Sequence, residues 1–451
     1  MTDCNREPLR FSSLGNRAIV ADFLGGRLTT DAGALLLREV AEQLGLFDAL
    51  DAVIPDPRHP VFTVHQQRAL LAQRIIAIAL GYEDLNDHQE LRKDPALQIA
   101  SGQLPEPEMT LASPPTLCRL ENRVNHETLG HIAEVFVDQF IKSQASPPEH
   151  LMLDFDATDD PVHGHQEGRF FHGYYDHHCY LPLYVFCGND LLTAYLRPSN
   201  IDASRHSRAV LKLLVRKLRA VWPNVKITIR ADSGFCRWRF MRWCDSHGIG
   251  YILGLAKNSV LQKLGTDEIG TAARLFARTG ETQRIFGSFS YAAAKWDRKR
   301  KVIIKAEHTA KGANPRFVVT NVPGEAQNLY EDDYCQRGEM ENRIKEQQLD
   351  LFADRTSCHR FLANQFRLFL SSAAYVLVQA LRRIALQGTE LATSQVGTIR
   401  LKLFKVAARV VLSARRVVFH LASGYPYQEL FTAAFARLSD VEKNGPGAKT
   451  G

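Results

Sequence analysis

Residues 151–156 read Leu-Met-Leu-Asp-Phe-Asp. The run is short, apolar and bounded by turn-forming residues, so it is predicted to be a strand. Side chains alternate along a strand, which puts Asp154 and Asp156 on one face. Two aspartates on one face of an otherwise apolar strand are costly to bury unless a cation sits beside them. The stretch therefore predicts both a sheet and a site.

Working outward, Tyr180–Cys187 (YLPLYVFC) and Leu191–Leu196 read as strands joined by the hairpin signal Gly188-Asn189-Asp190. A helix is predicted over Ala203–Val221, closed by Pro223. Val225–Ile229 alternates like a strand and ends at Arg230-Ala231-Asp232-Ser233-Gly234. A helix over Cys236–His247 and a strand over Gly250–Leu255 follow. Strand, strand, strand, helix, strand, helix, strand is the order of an α/β, ribonuclease H-like mixed sheet flanked by helices. In that arrangement three antiparallel strands are followed by parallel ones through helical crossovers.

Upstream, residues 1–145 read as a helical region. Apolar residues recur at helical spacing after Asp31, through Val64–Leu80 and from Glu127 to about Lys142. Residues 146–258 are the first part of the α/β core, and 259–328 are expected to be a β-rich insertion. A long helix from Asp332 to Asp350 and an apolar one over Phe361–Leu386 open a helical region spanning 329–440. Residues 441–451 read as a disordered tail.

The chain has 451 residues, enough for two or three domains, with a net charge of +7. That excess favours a polyanionic partner over a pocket for an acidic substrate. No window of about 18 uncharged apolar residues occurs, so no membrane span is expected. The N-terminus shows no signal pattern, and a cytoplasmic, nucleoid-associated protein is expected. The 8 cysteines never form C-x-x-C and are expected to act as small buried hydrophobes.

The other informative carboxylates are Asp232, just past a strand end where α/β sheets build their sites, and Glu341. Arg337, Glu341, Lys345 and Gln348 share one helix face. That pattern is either a surface ion-pair ladder or a metal ligand flanked by phosphate binders. Three carboxylates from two strand ends and a helix can hold two Mg²⁺ about 4 Å apart.

Asp156-Ala-Thr, Asp232-Ser-Gly-Phe235 and Tyr334-x-x-Arg337-x-x-x-Glu341 resemble the DDE transposases of bacterial insertion sequences, in the group with a Y-R-E-K signature. The phrases YYDHHCYLPLYVFCG, RADSGFCR, YILGLAKN and RGEMENRIKEQQLDLFADRTS resemble the insertion sequence thirteen-eighty family. The resemblance runs from about residue 10 to 435. It implies that Asp156, Asp232 and Glu341 are the catalytic, metal-binding triad, with Asp154 as rival for the first place. It implies Mg²⁺ or Mn²⁺ as cofactor, and roles near the DNA backbone for Tyr334 and Arg337. Gln348 stands where the signature has lysine, and Lys345 is the alternative phosphate contact. End cleavage, strand transfer, recognition of terminal inverted repeats through the N-terminal region, and a homodimer on paired double-stranded DNA ends are implied as well.

Three further features are weighed on the residues themselves. His163, His165, His172, His177 and His178 with Cys179 could hold zinc, but no pair has the spacing of a zinc helix, and a polar loop beside the site is favoured. In Lys295-Trp296-Asp297-Arg298-Lys299-Arg300-Lys301, Trp296 is a candidate to stack on an extruded base, with Arg298 and Arg300 on DNA phosphates. The other reading of Trp296 is a cap on a small core. Arg205, Arg208, Lys212, Arg216, Lys217 and Arg219 crowd one helix, as phosphate binders or as a solvated face. The competing functions are a nuclease of the same fold that does not join strands, and a non-catalytic DNA-binding relic.

Overall fold

The computed structural model describes residues 8–444, which fall into two compact units. One unit comprises residues 52–55 and 121–379, and the other 1–51, 56–120 and 380–451.

The first unit is built on a mixed sheet. Its strands are β1 (His150–Ala157), β2 (Leu183–Cys187), β3 (Asp190–Tyr195), β4 (Lys226–Ala231), β5 (Gly250–Leu255), β6 (Gln283–Tyr291), β7 (Arg300–Thr309), β8 (Gly312–Ala313) and β9 (Arg316–Thr320). The spatial order is β6-β7-β9-β5-β4-β1-β2-β3, with β8 on β7. β4 runs parallel to β1 and to β5, and every other pairing is antiparallel. The Gly188-Asn189 turn joins β2 to β3, with Gly188 at φ 58°, a backbone angle glycine adopts without strain.

Helices α1 (His126–Ser143), α2 (Ser207–Val221) and α3 (Trp238–Ser246) cover one face. Leu151, Leu153 and Phe155 of β1 pack there with Ile227, Ile229, Leu211, Leu218 and Met241. The Asn125 side chain caps α1 by accepting from the Thr128 N–H at 2.8 Å. On the opposite face Ile252, Ile303 and Val318 pack against Leu329 and Tyr330.

Two expectations for this unit are corrected. The stretch 259–328 is no separate insertion: after helix α4 (Thr266–Thr279) its strands extend the central sheet, β9 pairing with β5. Without that pairing β5 would expose an edge of unmatched backbone groups. The helix carrying Glu341 is also not uniform. It widens to π turns over Leu329–Tyr334 and Glu346–Asp350, tightens to a 3-10 turn over Cys335–Arg337, and is regular only in α5 (Gly338–Lys345). Such irregularity re-aims side chains within a helix and is common at functional sites.

The second unit is not purely helical and not purely N-terminal. Leu9–Leu14 and Arg17–Ala21 form a hairpin turning at Gly15-Asn16. Leu28–Thr29 pairs with Ala408–Leu412 of the C-terminal region, which pairs with Val417–Leu421. A Cβ at Gly33 would stand 2.3 Å from the Leu403 carbonyl oxygen, so only glycine permits this close approach of the two chain ends. The Lys405 ammonium and the Tyr82 hydroxyl both meet the buried Asp31 carboxylate. The expected helical region of 1–145 thus loses its first strands, and α1 belongs to the first unit.

The helix Phe361–Ile384 is the one among the described residues long and apolar enough to cross a membrane, and 83% of that stretch is buried inside the protein. Of the described cysteines, Cys179 and Cys244 are buried, whereas Cys118 and Cys335 are exposed. Cys4 lies outside the described residues. The helix Gln428–Asn444 continues past residue 441, which shortens the expected tail, and 445–451 lie outside the described residues.

Candidate active site

The parallel pairing of β1 and β4 sets Arg230 opposite Asp154. One register step further, past the last paired residues Ala231 and Phe155, Asp232 falls beside Asp156. The sheet therefore builds, on one face, an ion pair followed by two carboxylates at the strand ends. Asp154 accepts from Arg230 through both oxygens, at 2.5 and 2.8 Å, and both side chains are more than nine-tenths buried. Burial pushes the Asp154 carboxyl up and the Arg230 guanidinium opposes it. Asp154 is thereby committed to Arg230, and Asp156 is the strand carboxylate left at the mouth of the sheet.

Arg337 brings the third carboxylate in. Its guanidinium lies 3.5 Å from Asp156 Oδ2 and donates to Glu341 Oε1 at 2.9 Å, one helical turn on. Burial acts against its charge, but Asp156, Glu341 and Asp232 outweigh burial and raise its pKa. Burial, opposed by Arg337 and reinforced by Asp232 and Glu341, pushes Asp156 up to about 7. The Asp232 side chain caps its own turn, accepting from the Gly234 N–H at 2.9 Å. Tyr334 packs over this turn: a Cβ at Gly254 would stand 2.6 Å from the Tyr334 hydroxyl and 2.8 Å from the Ser233 nitrogen. Glycine in β5 is what lets the hydroxyl and the Asp232 turn come together. A cavity of about 430 Å³ opens here, lined by Asp232, Gly254, Lys257, Arg316, Tyr334 and Arg337.

The donor set suits a hard cation, because it consists of carboxylate oxygens, one of which burial, with repulsion from the other two, already pushes up toward neutral pH. Arg337 supplies the positive charge among them. Among the described residues, no three His, Cys, Asp or Glu stand close enough to share one ion. Arg337 stands between Asp156 and Glu341.

A pH dependence follows. Ionising Asp156 costs stability, so in the metal-free protein its contribution is fully present below the ordinary carboxyl range and is lost as pH rises through about 7. A divalent cation needs the ionised form, so Mn²⁺ affinity is expected to rise with pH across the same window. Calorimetric Mn²⁺ titrations at three pH values around neutrality would show this, and a flat profile would contradict it.

The remaining candidates divide. Lys345 is exposed on α5 and free to meet a phosphate. Gln348 is not available for one: its amide donates to the Asp159 carbonyl at 2.9 Å and to Asp160 Oδ1 at 2.8 Å. Asp160 is fully buried, and burial pushes its carboxyl well above the ordinary range, against the Gln348 hydrogen bond. Sequence reading passed over Asp160, whose only signal is its adjacency to the Asp156 strand. The pair clamps the Glu341 helix to the segment that follows Asp156. Gln348→Ala is expected to destabilise the protein by ~1–3 kcal/mol, by stranding a buried acid. Asp160→Asn is expected to cost less, because an Asn oxygen can accept the same Gln348 hydrogen bond and burial already disfavours the charged carboxylate. Urea unfolding distinguishes the two, and equal costs would refute the clamp.

Arg300 is corrected outright. It is 4% exposed, and its guanidinium donates to Tyr251 Oη, Asp297 Oδ1 and Asp245 Oδ2, each at 2.9 Å. A side chain so enclosed cannot meet DNA. The charge run did not reveal this, because its acidic partner Asp245 lies 55 residues away. Arg298 is half exposed and pairs with the same Asp245 at 2.7 Å. Trp296 is half buried, edge-on to Tyr291 at 5.5 Å and beneath Arg300, which is the small-core role. The histidine segment folds into a three-stranded sheet of Asp160–Pro161, Phe170–His172 and His177–Tyr180, with His177 Nε2 2.8 Å from Asp159 Oδ2.

The family model described as Transposase DDE domain group 1 matches residues 11–443. Among solved structures, the chain is similar to piggyBac transposase in a synaptic complex with hairpin DNA, at 10% identity and TM-score 0.42, over 84% of this chain and 81% of that chain. No curated protein matches the chain in sequence.

Proposed function

Because the chain belongs to the family of transposases with a DDE domain of group 1, we propose that it cleaves the ends of an insertion sequence and joins them to target DNA at Asp156, Asp232 and Glu341. The observation that supports this is that Arg337 bridges Asp156, at one strand end, and Glu341, on the helix, with Asp232 at the neighbouring strand end near enough to act on both Asp156 and Arg337. The β3-β2-β1-β4-β5 order, with two antiparallel pairings and then two parallel ones, supports a ribonuclease H-like core. Tyr334, Arg337 and Glu341 supply three of the four residues of the Y-R-E-K signature.

Asp156, Asp232 and Glu341 would hold Mg²⁺ or Mn²⁺. When bound, such ions activate the attacking oxygen and stabilise the leaving one. The protein's own part is positioning and charge. Arg337 neutralises the carboxylates in the free protein and, once displaced from Glu341, is aimed at the scissile phosphate. Tyr334 closes the cavity over the Asp232 turn and limits water there. Lys345 meets the DNA backbone one helical turn from Glu341. Terminal inverted repeats are read by the N-terminal region, on a homodimer holding paired ends, in a cytoplasmic, nucleoid-associated protein.

The test is a strand-transfer assay. Protein and Mg²⁺ or Mn²⁺ are incubated with a labelled duplex carrying the inverted repeat that flanks the gene, its 3′-hydroxyl exposed, and a target plasmid. Joined product supports the proposal. Cleavage without joining would make the chain a nuclease, and binding without either would make it a DNA-binding relic.

A further inference from the structure

We propose that the recess between the starts of α2 and α3 is a phosphate-backbone site for DNA running on from the cleavage position; this rests on reading the chain as a transposase. The recess has a volume of about 620 Å³ and is lined by Arg205, Arg208, Lys212, Arg237, Trp238 and Arg239 among others. None of the described residues lining it is acidic.

The six cations on and beside α2 look alike in sequence, and the fold sorts them. Lys217 is held by Asp138 at 2.9 Å. Arg219 donates to the carbonyls of His247 and Gly248. Arg205, in the turn before α2, and Arg208, Lys212 and Arg216, on α2, remain; all four are exposed, and the first three line the recess. Across the recess Arg239 lies against the Trp238 ring at 5.3 Å. Among the described residues none forms an ion pair with Arg205, Arg208, Lys212 or Arg239. Arg237 pairs with Asp202, but both side chains are about half exposed, and such pairs are weak enough to exchange for a phosphate.

Two further features add positive potential. Both α2 and α3 begin at the recess without a side-chain cap, and although the Ser207 and Phe240 N–H groups donate to the Ser204 and Arg237 carbonyls, the positive end of each helix dipole lies there. The recess also adjoins the candidate active site. Arg237 lies five residues after Asp232, and a Cβ at Gly234 would stand 3.5 Å from Ala203, in the loop that leads into α2. Five cations spread over two elements match an extended backbone rather than one small anion, which would need them convergent.

The test uses the full chain and a fluorescein-labelled 30-base-pair duplex of arbitrary sequence, read by anisotropy as KCl rises from about 50 to 200 mM. Arg205→Ala/Arg208→Ala/Arg239→Ala is compared with Lys263→Ala/Arg274→Ala/Arg278→Ala, which removes the same charge elsewhere. The recess variant is expected to bind about tenfold more weakly near 0.1 M salt, with a log–log slope shallower by ~2–3, or about 0.9 per lost phosphate contact. Its urea unfolding curve should overlay that of wild type. Equal slopes in the two variants would overturn the proposal. So would displacement of the duplex by inorganic phosphate beyond that by KCl of equal ionic strength, which would mark a small-anion site. Wild type that joins strands while the recess variant keeps its slope refutes this inference alone. Wild type that neither binds nor joins DNA refutes the transposase reading with it.

Discussion

Asp232→Ala is expected to abolish strand joining, by at least about a thousandfold, or ~4 kcal/mol of transition-state stabilisation. Glu341→Gln should do the same. Asp232 sits one register step past Ala231, where the strand ends and the chain turns, and its carboxylate otherwise only caps that turn by accepting from Gly234. Its loss therefore removes charge from the site with little structural consequence, and the variant should unfold at the wild-type urea concentration. DNA binding should persist in both variants, since the proposed backbone contacts lie elsewhere. Joining that continues undiminished in either variant would refute the triad. Loss of joining together with loss of the fold would leave the carboxylate's chemical role unsupported.

The second large effect is on stability. Arg230→Ala is expected to cost about 3–5 kcal/mol, because it leaves Asp154 buried without its charge partner. Asp154 is 3% exposed and receives two hydrogen bonds from that guanidinium, while Arg343 and Arg337 act on it without a hydrogen bond, so most of what offsets its desolvation goes with Arg230. Asp154→Leu/Arg230→Met should recover most of the loss, since a buried ion pair exchanged whole for apolar side chains is often neutral. Urea midpoints of the single and double variants give the coupling. Additive costs would mean that the two residues do not act as a pair. The same cycle separates the two aspartates of β1: Asp156→Asn should remove joining while barely moving the midpoint, and Asp154→Asn should do the reverse.

Much of the first unit was readable in the chain. Alternation in Leu151–Asp156 and Val225–Ile229, the Gly188-Asn189 turn and the intervening helices each follow from local periodicity and turn chemistry, which depend only on neighbouring residues. The position of Asp232 beyond a strand end was readable for the same reason. The choice between Asp154 and Asp156 was not, because alternation puts both on one face. Only the pairing with β4 reveals that Arg230 stands opposite the first, and that this pairing ends one residue short of the second.

The misreadings share a physical origin. A run such as Lys295–Lys301 advertises charge, but burial depends on partners distant in sequence, and Asp245 and Tyr251 enclose Arg300 while Lys299 stays in solvent. Gln348 looked like a departure from a lysine position, and its hydrogen bonds to the Asp159–Asp160 segment, 188 residues away from Asp160, give it a structural role. The second unit draws on both chain ends, where Leu28–Thr29 pairs with Ala408–Leu412, and no local signal announces a pairing across 380 residues. Sequence by itself determined most elements of the central sheet and its covering helices, and which carboxylates lie at strand ends, because periodicity and turn geometry are local. The tertiary structure alone decided which charges are spent on one another and which are left for a ligand, because that depends on long-range pairing and on burial.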